Sequence, residues 1–403
     1  MTDDARFAAA RDAFLAGLAA FEAGEPAQAE RHYRASLALL PGRASTLTNL
    51  AAALLAQQRP APAHDAARAA TVAEPAGADG WLNLGLAEMG LKRPQQALAA
   101  FERCVALAPG AAAGWWRRAE ALEALGRVDA ALESADQALA RDPALGPAWN
   151  LRAGLLRETG RLAEAAEAYR QAAAHGADPA LQAYYLGAVG AAPAPAHAPP
   201  DYVRRLFDGY AAGFDQHLVE RLKYDAPQRL VAGLPPGATP VVPAALDLGC
   251  GTGLCGPLLR PLAQRLTGLD LSPAMLAQAR ARGVYDVLER ADLLEALPGL
   301  PPQDLVLAAD VFIYVGDLAP VFAALQQLVP AGGRFSFTLE RDEAAGEAGY
   351  RLLPSLRYGH SEAGVRRLAA AHGWAVAALD AAPLREDQRQ PVEGLFVHLR
   401  RGG

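Results

Sequence analysis

Residues 245–256 read ALDLGCGTGLCG, a short apolar run that ends in closely spaced glycines. Such a run predicts a buried strand that breaks into a tight turn before a helix. Gly251, Gly253 and Gly256 have the spacing GxGxxG, which dinucleotide-binding loops share with loops that bind other nucleosides. Because this spacing alone is a weak signal, the residues around the loop have to decide which ligand it binds.

Beyond residue 200 the sequence alternates apolar runs, such as 304–316, with helical patterns, such as 272–283. This alternation predicts an α/β fold with a mostly parallel sheet that helices cover on both faces. The last two apolar runs, 374–385 and 394–401, have no helix between them. We therefore expect the final strand to be antiparallel to its neighbour.

Three acidic residues follow successive predicted strands: Asp247, Asp270 and Asp292. A carboxylate beside the glycine loop would repel a pyrophosphate but attract an ammonium or a sulfonium, so NAD is disfavoured. Asp270 is placed to accept hydrogen bonds from both hydroxyls of a ribose, and Asp292 could accept one from an adenine amino group. The three acids together fit a cationic nucleoside.

The pattern D247-L-G-C-G-T-G253, followed by D270 and A291-D292-L293, resembles the class I S-adenosylmethionine-dependent methyltransferases over about residues 202–403. The resemblance implies a Rossmann-like domain in which the first acid and glycines hold the methionine part, Asp270 the ribose, and the later residues the adenine of S-adenosyl-L-methionine. The cofactor-binding residues that it implies are Asp247, Gly249, Gly251, Gly253, Asp270, Leu271, Met275, Asp292 and Leu293.

The first half of the chain repeats with a period of 34 residues. The repeating prolines are Pro41, Pro75, Pro109 and Pro143, and the repeating tryptophans are Trp81, Trp115 and Trp149. A helical pattern with this period predicts pairs of antiparallel helices that stack into a solenoid. About five such units, from near residue 10 to near 179, resemble tetratricopeptide repeats.

In that repeat family the concave groove binds an extended peptide, and an asparagine near the tryptophan position often holds the peptide backbone. The residues at or beside this position here are Asn49, Asn83, Arg117 and Asn150. The groove is thus expected to bind a protein or peptide. The alternative is that the helices form only a scaffold or an oligomerisation surface, since the repeat pattern identifies a fold and not a ligand.

The sequence after the fourth strand bears on the methyl acceptor. It reads DVFIY at residues 310–314, unlike the Asp/Asn-Pro-Pro-aromatic and Pro-Cys motifs of enzymes that methylate exocyclic nitrogens or cytosine C5. Nucleic-acid acceptors are therefore disfavoured, which leaves a small molecule, a carrier-bound acyl group or a protein side chain. We expect the acceptor pocket to be walled by the 202–225 helix, Tyr314 and a lid formed by loop 341–361.

His360 is the first candidate for a general base, because the unperturbed pKa of histidine is near neutrality. Tyr314, Asp310 and His217 follow as further catalytic candidates. The alternative for His360 is a structural role at the helix that begins near Ser361. The eight histidines show no ligand-spaced pair, so no metal site is expected.

Composition narrows the class of protein. The 403 residues are 52% hydrophobic and carry a net charge of −6, which allows two or three domains. The basic residues are scattered rather than clustered, so no nucleic-acid surface is expected. The N-terminus is acidic and lacks the regions of a signal peptide, and no apolar run is long enough to span a membrane. Together with the three cysteines, these features favour a cytoplasmic protein with no membrane contact.

We expect three parts: a repeat solenoid at 1–186, an Ala/Pro-rich linker at 187–200 and a methyltransferase domain at 201–403. This combination resembles a bacterial group of predicted repeat-containing methyltransferases. The expected function is methyl transfer to an acceptor that the repeats recruit. The alternatives are a non-catalytic protein that binds the nucleoside, a repeat scaffold and, more distantly, a nicotinamide-dependent oxidoreductase.

Overall fold

The computed structural model describes residues 2–234, 241–387 and 390–402. The chain forms two compact units, Met1–Asp178 and Pro179–Gly403. Each unit has buried hydrophobic residues of its own, such as Tyr33 in the first and Phe335 in the second.

The first unit is helical, as the 34-residue period predicts. Its helices in the described residues are α1 (Asp3–Glu22), α2 (Pro26–Leu39), α3 (Ala44–Ala56), α4 (Pro60–Ala73), α5 (Ala78–Gly90), α6 (Pro94–Leu107), α7 (Ala112–Ala124), α8 (Val128–Arg141), α9 (Gly146–Glu158) and α10 (Leu162–Ala174). Proline is the first residue of α2, α4 and α6, each the second helix of its pair. At this position the N–H that proline lacks would have no partner within the helix. No helix in the described part of the chain combines the length and the hydropathy that a membrane crossing needs.

One hydrogen bond explains why tryptophan and proline recur together. In each of three units the indole N–H donates to the carbonyl of the proline six residues earlier, which fixes the turn between two helix pairs. The bonds are Trp81 Nε1 to Pro75 O (3.0 Å), Trp115 Nε1 to Pro109 O (3.0 Å) and Trp149 Nε1 to Pro143 O (2.8 Å). The 34-residue period of the sequence therefore reflects one hydrogen bond that recurs in successive repeats.

Small residues let the paired helices approach each other. The recurring alanines Ala63, Ala97, Ala131 and Ala165 are all fully buried. Gly85 lies even closer to its neighbour, because a Cβ there would be 2.4 Å from Cε1 of Phe101. The aromatic ring of α6 thus packs directly on the backbone of α5.

The second unit is an α/β structure. Its helices are α11 (Pro179–Ala188), α12 (Pro200–Tyr210), α13 (Phe214–Gln216), α14 (Ala226–Ala232), α15 (Gly256–Leu259), α16 (Pro273–Ala281), α17 (Leu293–Ala296), α18 (Ala319–Leu328) and α19 (Glu362–Ala371). Its strands are β1 (Val242–Leu248), β2 (Ala263–Asp270), β3 (Val287–Arg290), β4 (Leu305–Ala308), β5 (Arg334–Arg341), β6 (Tyr350–Leu352), β7 (Tyr358–His360), β8 (Trp374–Asp387) and β9 (Gln390–Arg401).

These strands form one sheet in the order β3-β2-β1-β4-β5-β7-β6, with β9 paired to β5 and β8 paired to β9. Strands β1 to β5 pair in parallel, so their carboxyl ends meet at one edge. Strand β9 is antiparallel to β5, which confirms the expectation for the final strand. In an open parallel sheet, ligands bind at the edge where the carboxyl ends meet.

The fourth strand is shorter than the run 304–316 suggests. It ends at Ala308, and Asp310 has a φ of 60°, an uncommon conformation for a residue other than glycine. The backbone N–H of Asp310 donates to Thr338 Oγ1 at 2.8 Å instead of continuing the strand. Residues 312–314 then form a helical turn, so the apolar run is a strand followed by a wall segment.

The segment 187–200 differs from the expected free linker. The Ala198 N–H donates to Tyr314 O (2.9 Å), and the Gly316 N–H donates to Ala196 O (2.8 Å). Tyr358 Oη donates to Pro195 O at 2.7 Å. Prolines and alanines lack helical periodicity here, but their carbonyls still accept hydrogen bonds, so the segment packs in the second unit, which begins at Pro179 rather than at residue 201.

The predicted helix over 202–225 is interrupted. Helix α12 ends at Tyr210, a short turn covers residues 211–213, and a π-helical turn spans His217–Arg221 after α13. Phe207, Phe214 and Tyr210 form edge-to-face ring contacts along this segment. The aromatic residues of this segment therefore pack together, although the backbone bends.

Candidate cofactor and acceptor site

The glycine loop connects β1 to α15 at the carboxyl edge of the sheet. Gly249 and Gly251 have φ values of 65° and 54°, which favour glycine. A Cβ on Gly249 would also lie 2.5 Å from Cγ2 of Val311. The Cys250 N–H donates to Leu269 O at 2.8 Å, so the loop is tied to the neighbouring strand.

Asp270 lies at the end of β2 and organises this loop. Its Oδ2 accepts a hydrogen bond from the Gly251 N–H, and its Oδ1 accepts one from the Ser272 N–H, both at 2.8 Å. Burial raises the pKa of Asp270 above its ordinary value, although these hydrogen bonds act in the opposite direction. The carboxylate oxygens retain lone pairs that can accept further bonds from a ligand.

A cavity of about 620 Å³ opens beside the loop. Among its lining residues are seven of the nine expected cofactor-binding residues: Gly249, Gly251, Asp270, Leu271, Met275, Asp292 and Leu293. The structure thus brings together residues at or after the carboxyl ends of β1, β2 and β3, although Gly249 and Leu293 are 44 positions apart in the sequence. Gly253, which turns the loop toward α15, is not among the lining residues.

Asp247 is also absent from the lining, which corrects the expectation that it faces the methionine part of a cofactor. It is 1% exposed, and its Oδ2 accepts a hydrogen bond from Tyr285 Oη at 2.6 Å. Burial raises the pKa of Asp247 to about 7, whereas the Tyr285 hydrogen bond lowers it. The aspartate therefore lies behind the loop, because Tyr285 covers it.

Asp292 begins α17 after the third strand. Its Oδ1 accepts a hydrogen bond from the Leu294 N–H at 2.9 Å, so it caps this helix. The same residue lines the cavity, as do Met275 and Leu293. Asp292 therefore caps this helix and also lies at the cavity.

Aromatic residues wall another part of the cavity. They are Phe207, Tyr210, Phe214, Tyr224 and Tyr314. The rings of Phe207 and Tyr314 meet edge to face with centroids 5.6 Å apart. Burial raises the pKa of Tyr314 to about 12, so this phenol stays protonated at neutral pH and is a hydrogen-bond donor rather than a base.

Asp310 belongs to a buried charged network beside this wall. Its Oδ2 accepts a hydrogen bond from Arg385 Nη1 at 2.6 Å, and Arg385 Nη2 pairs with Glu340. The Arg385 side chain is 2% exposed. Burial raises the pKa of Glu340, and the charge of Arg385 opposes that effect. A guanidinium held between two carboxylates fixes the position of both.

Two aspartates tie the bent helical segment to the carboxyl edge of the sheet. Asp208 accepts a hydrogen bond from Ser272 Oγ at 2.6 Å. Asp215 accepts one from Thr252 Oγ1 of the glycine loop and pairs with Arg282. Sequence reasoning missed these residues; only Ser272 carried a local signal, since it precedes Pro273 at a helix start.

His360 does not line the large cavity, so the structure contradicts its expected role as general base. It is 2% exposed in β7, and its Nε2–H donates to Gly316 O at 3.0 Å. Burial lowers the pKa of His360 to about 4. The cap of the next helix is Ser361 rather than His360, because Ser361 Oγ accepts a hydrogen bond from the Gly364 N–H at 3.2 Å. His360 is a structural residue beside that cap.

The loop 341–361 is likewise not a lid. Most of it forms a helical turn and the antiparallel hairpin of β6 and β7, with β7 paired in parallel to the end of β5. Arg357 is the residue of this segment that lines the cavity. His217, the remaining histidine candidate, does line the cavity, and its Nδ1 forms a hydrogen bond with Tyr210 Oη.

The expected groove residues of the first unit make contacts within the solenoid. Asn83 is 9% exposed, and its Nδ2 donates to Thr48 O on a neighbouring helix at 3.0 Å. Asn49 Nδ2 donates to Ser45 O of its own helix. Arg117 stacks on the Trp116 ring at 3.8 Å. Asn83 therefore stabilises the stack of helices through the donor that was expected to hold a peptide.

Comparison with known proteins gives matches in both halves of the chain. Residues 246–335 match the family model of a methyltransferase domain. The tetratricopeptide repeat model matches three overlapping segments, 48–112, 82–146 and 117–181.

Among curated proteins, the chain is 42% identical over 110 residues to methyltransferase-like protein 27 of Homo sapiens, covering 26% of this chain and 44% of that protein. It is 32% identical over 124 residues to the ubiquinone biosynthesis O-methyltransferase of Xylella fastidiosa (strain 9a5c), covering 27% of this chain and 50% of that protein. The chain thus spans about half the length of the curated relatives it matches.

A solved structure of an S-adenosylmethionine-dependent methyltransferase from Mesorhizobium loti aligns with a TM-score of 0.36 at 24% identity, covering 44% of this chain and 98% of that one. The two family models match separate parts of the chain, one in the α/β unit and one mostly in the helical unit. The chain carries tetratricopeptide repeats in its N-terminal half and a methyltransferase domain in its C-terminal half.

Proposed function

We propose that this protein transfers a methyl group from S-adenosyl-L-methionine to an acceptor bound in the cavity of the second unit. The observation that carries the proposal is Asp270: its carboxylate holds the glycine loop and lines a cavity of about 620 Å³ in a matched methyltransferase domain. S-adenosyl-L-methionine is the cofactor, and its sulfonium supplies an activated methyl group. Asp270 binds the ribose hydroxyls by charge-assisted hydrogen bonds.

Two carboxylates at the carboxyl edge of the sheet, rather than the whole lining, which also includes Arg204, Arg357 and Arg385, support a nucleoside without phosphates. Asp270 and Asp292 both contribute carboxylates to the cavity. The two acids would repel the pyrophosphate of a dinucleotide, whereas the sulfonium of S-adenosyl-L-methionine is attracted. All four residues Gly249, Gly251, Met275 and Leu293 line the cavity. In this proposal the two glycines contact the methionine part, and Met275 and Leu293 contact the adenine.

Catalysis here consists mainly of alignment. Methyl transfer from a sulfonium is a displacement with a good leaving group, so the protein orients the acceptor and accepts a proton where one is released. Tyr314 presents a protonated hydroxyl and Asp310 a carboxyl group, and both residues line the cavity. With His360 outside the cavity, these two residues are the remaining first candidates for contact with the acceptor.

Calorimetry with S-adenosylmethionine and its demethylated product tests the cofactor. We expect both to bind with affinities within a few-fold of each other, because they share the ribose and adenine contacts. NADH at the same concentrations should produce no heat of binding. If the folded protein binds NADH but neither nucleoside, the chain is not a methyltransferase.

The repeats recruit the acceptor or a partner protein in this proposal. Because the second unit begins at Pro179, the fragment 179–403 separates the two functions. Loss of the repeats should raise the acceptor KM while the cofactor affinity stays unchanged, since recruitment acts through effective concentration. An equal KM for fragment and full chain would assign the repeats to scaffolding instead.

A further inference from the structure

The last two glycines of the GxGxxG spacing face an aromatic ring. A Cβ on Gly253 would lie 3.0 Å from Cε2 of Tyr285, and one on Gly256 would lie 2.8 Å from the same atom. Gly268 on β2 is as close, since a Cβ there would lie 3.0 Å from Cε1 of Tyr285. A side chain at any of these positions would press on the ring. The three glycines therefore accommodate Tyr285.

The hydroxyl of Tyr285 reaches the aspartate behind the same loop. Tyr285 Oη donates to Asp247 Oδ2 at 2.6 Å, and Asp247 lies two residues before Gly249 at the end of β1. Asp247 is 1% exposed, so little water reaches its carboxylate. A buried carboxylate is costly unless a donor pairs with it, and the tyrosine hydroxyl supplies one.

The segment that carries Tyr285 contacts the loop at a second point. Residues 282–286 connect α16 to β3, and Arg282 Nε donates to Thr252 O of the glycine loop at 2.6 Å. Neither Arg282 nor Tyr285 is among the residues that line the cavity. Both side chains therefore act on the loop rather than on a ligand in the cavity.

The other titratable groups that face Asp247 in the described residues include no cation. They are Asp270, Cys250, Cys255 and Tyr224. Burial raises the pKa of both thiols and of the Tyr224 phenol, so these three groups are neutral near pH 7, and the charge of Asp270 raises the pKa of Asp247. Stabilisation of the Asp247 carboxylate thus depends on the hydroxyl of Tyr285.

Resting on the proposed use of S-adenosyl-L-methionine, we propose that Tyr285 is a positioning residue for the cofactor-binding loop. Its ring supports the glycines, and its hydroxyl pairs with Asp247, so the loop keeps the shape that binds the cofactor. Without the hydroxyl, ionisation of Asp247 would leave a buried charge unpaired, and the loop would have to open to hydrate it. The tyrosine therefore keeps cofactor binding insensitive to the ionisation of Asp247.

Tyr285→Phe keeps the ring and removes the hydroxyl. The pKa of Asp247 is about 7, and it should rise further in the variant because the hydrogen bond that lowers it is gone. The carboxyl is mostly neutral in both proteins below this value, whereas its ionisation is penalised only in the variant as the pH rises. By calorimetry, we expect the variant to bind S-adenosylhomocysteine about tenfold more weakly than the wild type at about pH 8, and within about twofold at about pH 6.

A loss of the same size at both pH values, or no loss, overturns the proposal. Tyr184→Phe is the matched control, because Tyr184 is also fully buried in the second unit and its Oη donates to the neutral carbonyl of Leu356. This control should bind S-adenosylhomocysteine within about twofold of the wild type at both pH values, since no buried charge loses its donor.

Asp247→Asn in the Tyr285→Phe background is the rescue. The amide carries no charge, so the loss of affinity should no longer grow with pH. Asp380→Asn in the same background, at an exposed position on β8, is its control and should leave the pH dependence in place. A pH dependence that survives Asp247→Asn belongs to another group and contradicts the proposal.

Tyr285→Leu in the Asp247→Asn background tests the ring. Neither this protein nor the rescue variant has the buried charge, so both can be compared even if Tyr285→Phe alone does not fold at the higher pH. We expect the leucine variant to bind S-adenosylhomocysteine about fivefold more weakly than the rescue variant at both pH values, because the glycines lose the surface they pack on. Equal affinities overturn the role of the ring.

Binding of S-adenosylhomocysteine to the wild type is measured in the same series. Its absence from folded protein refutes the proposed function. Its presence, with no effect of the substitutions at Tyr285, refutes only this inference.

Discussion

The two units are stabilised by contacts of different range. In the repeats one short-range bond recurs, since each indole N–H reaches a proline carbonyl six residues earlier. In the second unit the hydrogen bonds around the cavity all differ from one another, and two of them connect distant parts of the chain: Gly251 to Asp270 spans 19 residues, and Asp310 to Arg385 spans 75. The first unit can therefore tolerate the loss of one of these bonds, because equivalent bonds remain in the other repeats. The contacts around the cavity of the second unit each occur once.

The largest effect is expected from Asp270→Ala. Loss of two charge-assisted hydrogen bonds to the ribose should weaken S-adenosylmethionine binding by roughly 2–4 kcal/mol, or about 30- to 700-fold. Isothermal calorimetry measures the change, with Asp380→Ala as the control. A loss below tenfold in a variant that melts like the wild type would mean that Asp270 does not bind the ribose.

The contrast in contact range decides what the sequence alone could predict. The recurring tryptophans and prolines allowed the solenoid to be predicted, because the same contact forms in each unit. The cofactor-binding residues could be predicted in part, since the glycine loop and Asp270 lie at the ends of two consecutive strands. Asp247 was misplaced, because its cover by Tyr285 depends on where the chain returns 38 residues later.

The sequence did not predict the contacts around Asp310 or the burial of His360. Arg385 lies in the long terminal hairpin, and nothing in its local pattern marks it as the partner of Asp310 and Glu340. His360 was the opposite error: its type and neutral pKa suggested a base, but the pairing of β7 with β5 buries it. Both outcomes depend on tertiary pairing that no short motif encodes.

The second prediction concerns packing between paired helices. Gly85→Ala would bring a Cβ to 2.4 Å from Phe101, which should cost about 1–3 kcal/mol through overpacking. Gly154→Ala is the matched control, because a Cβ there meets nothing within 4 Å and should stabilise its helix by up to about 1 kcal/mol. Denaturant unfolding followed by tryptophan fluorescence reports on this unit. Effects of the same sign would contradict the close approach at Gly85.

The third prediction uses pH to test the buried Asp247. Its pKa is about 7 in the folded protein and about 3.9 in an unfolded chain, so the folded state binds the proton more tightly. Its stabilising contribution is full below about pH 4 and is lost as the pH rises through 7. Asp247→Asn removes this loss.

The free energy of unfolding of Asp247→Asn, relative to the wild type, should therefore increase between about pH 5 and about pH 8. The Tm gain at the higher pH should reach about 2 °C or more, since 1 kcal/mol shifts the Tm of a unit of this size by about 2–4 °C. Scanning calorimetry measures it, with S-adenosylhomocysteine added to identify the transition of the second unit. Asp380→Asn should show no such trend, and parallel pH curves for Asp247→Asn and the wild type would exclude a raised pKa.

The smallest expected effect is a difference in stability between variants of two asparagines that occupy the same position in their repeats. Asn83 Nδ2 donates to Thr48 O across two helices, whereas Asn49 Nδ2 donates to Ser45 O within its own helix. Asn83→Ala should therefore lower the free energy of unfolding of the repeats by about 1 kcal/mol, and Asn49→Ala by a few tenths at most, because its backbone acceptor stays paired in the helix. Denaturant midpoints measured by tryptophan fluorescence resolve this difference. If instead the two variants are equally stable, the bond at Asn83 does not hold the helices together, and its side chain is free to bind a peptide as its position in the repeat first suggested.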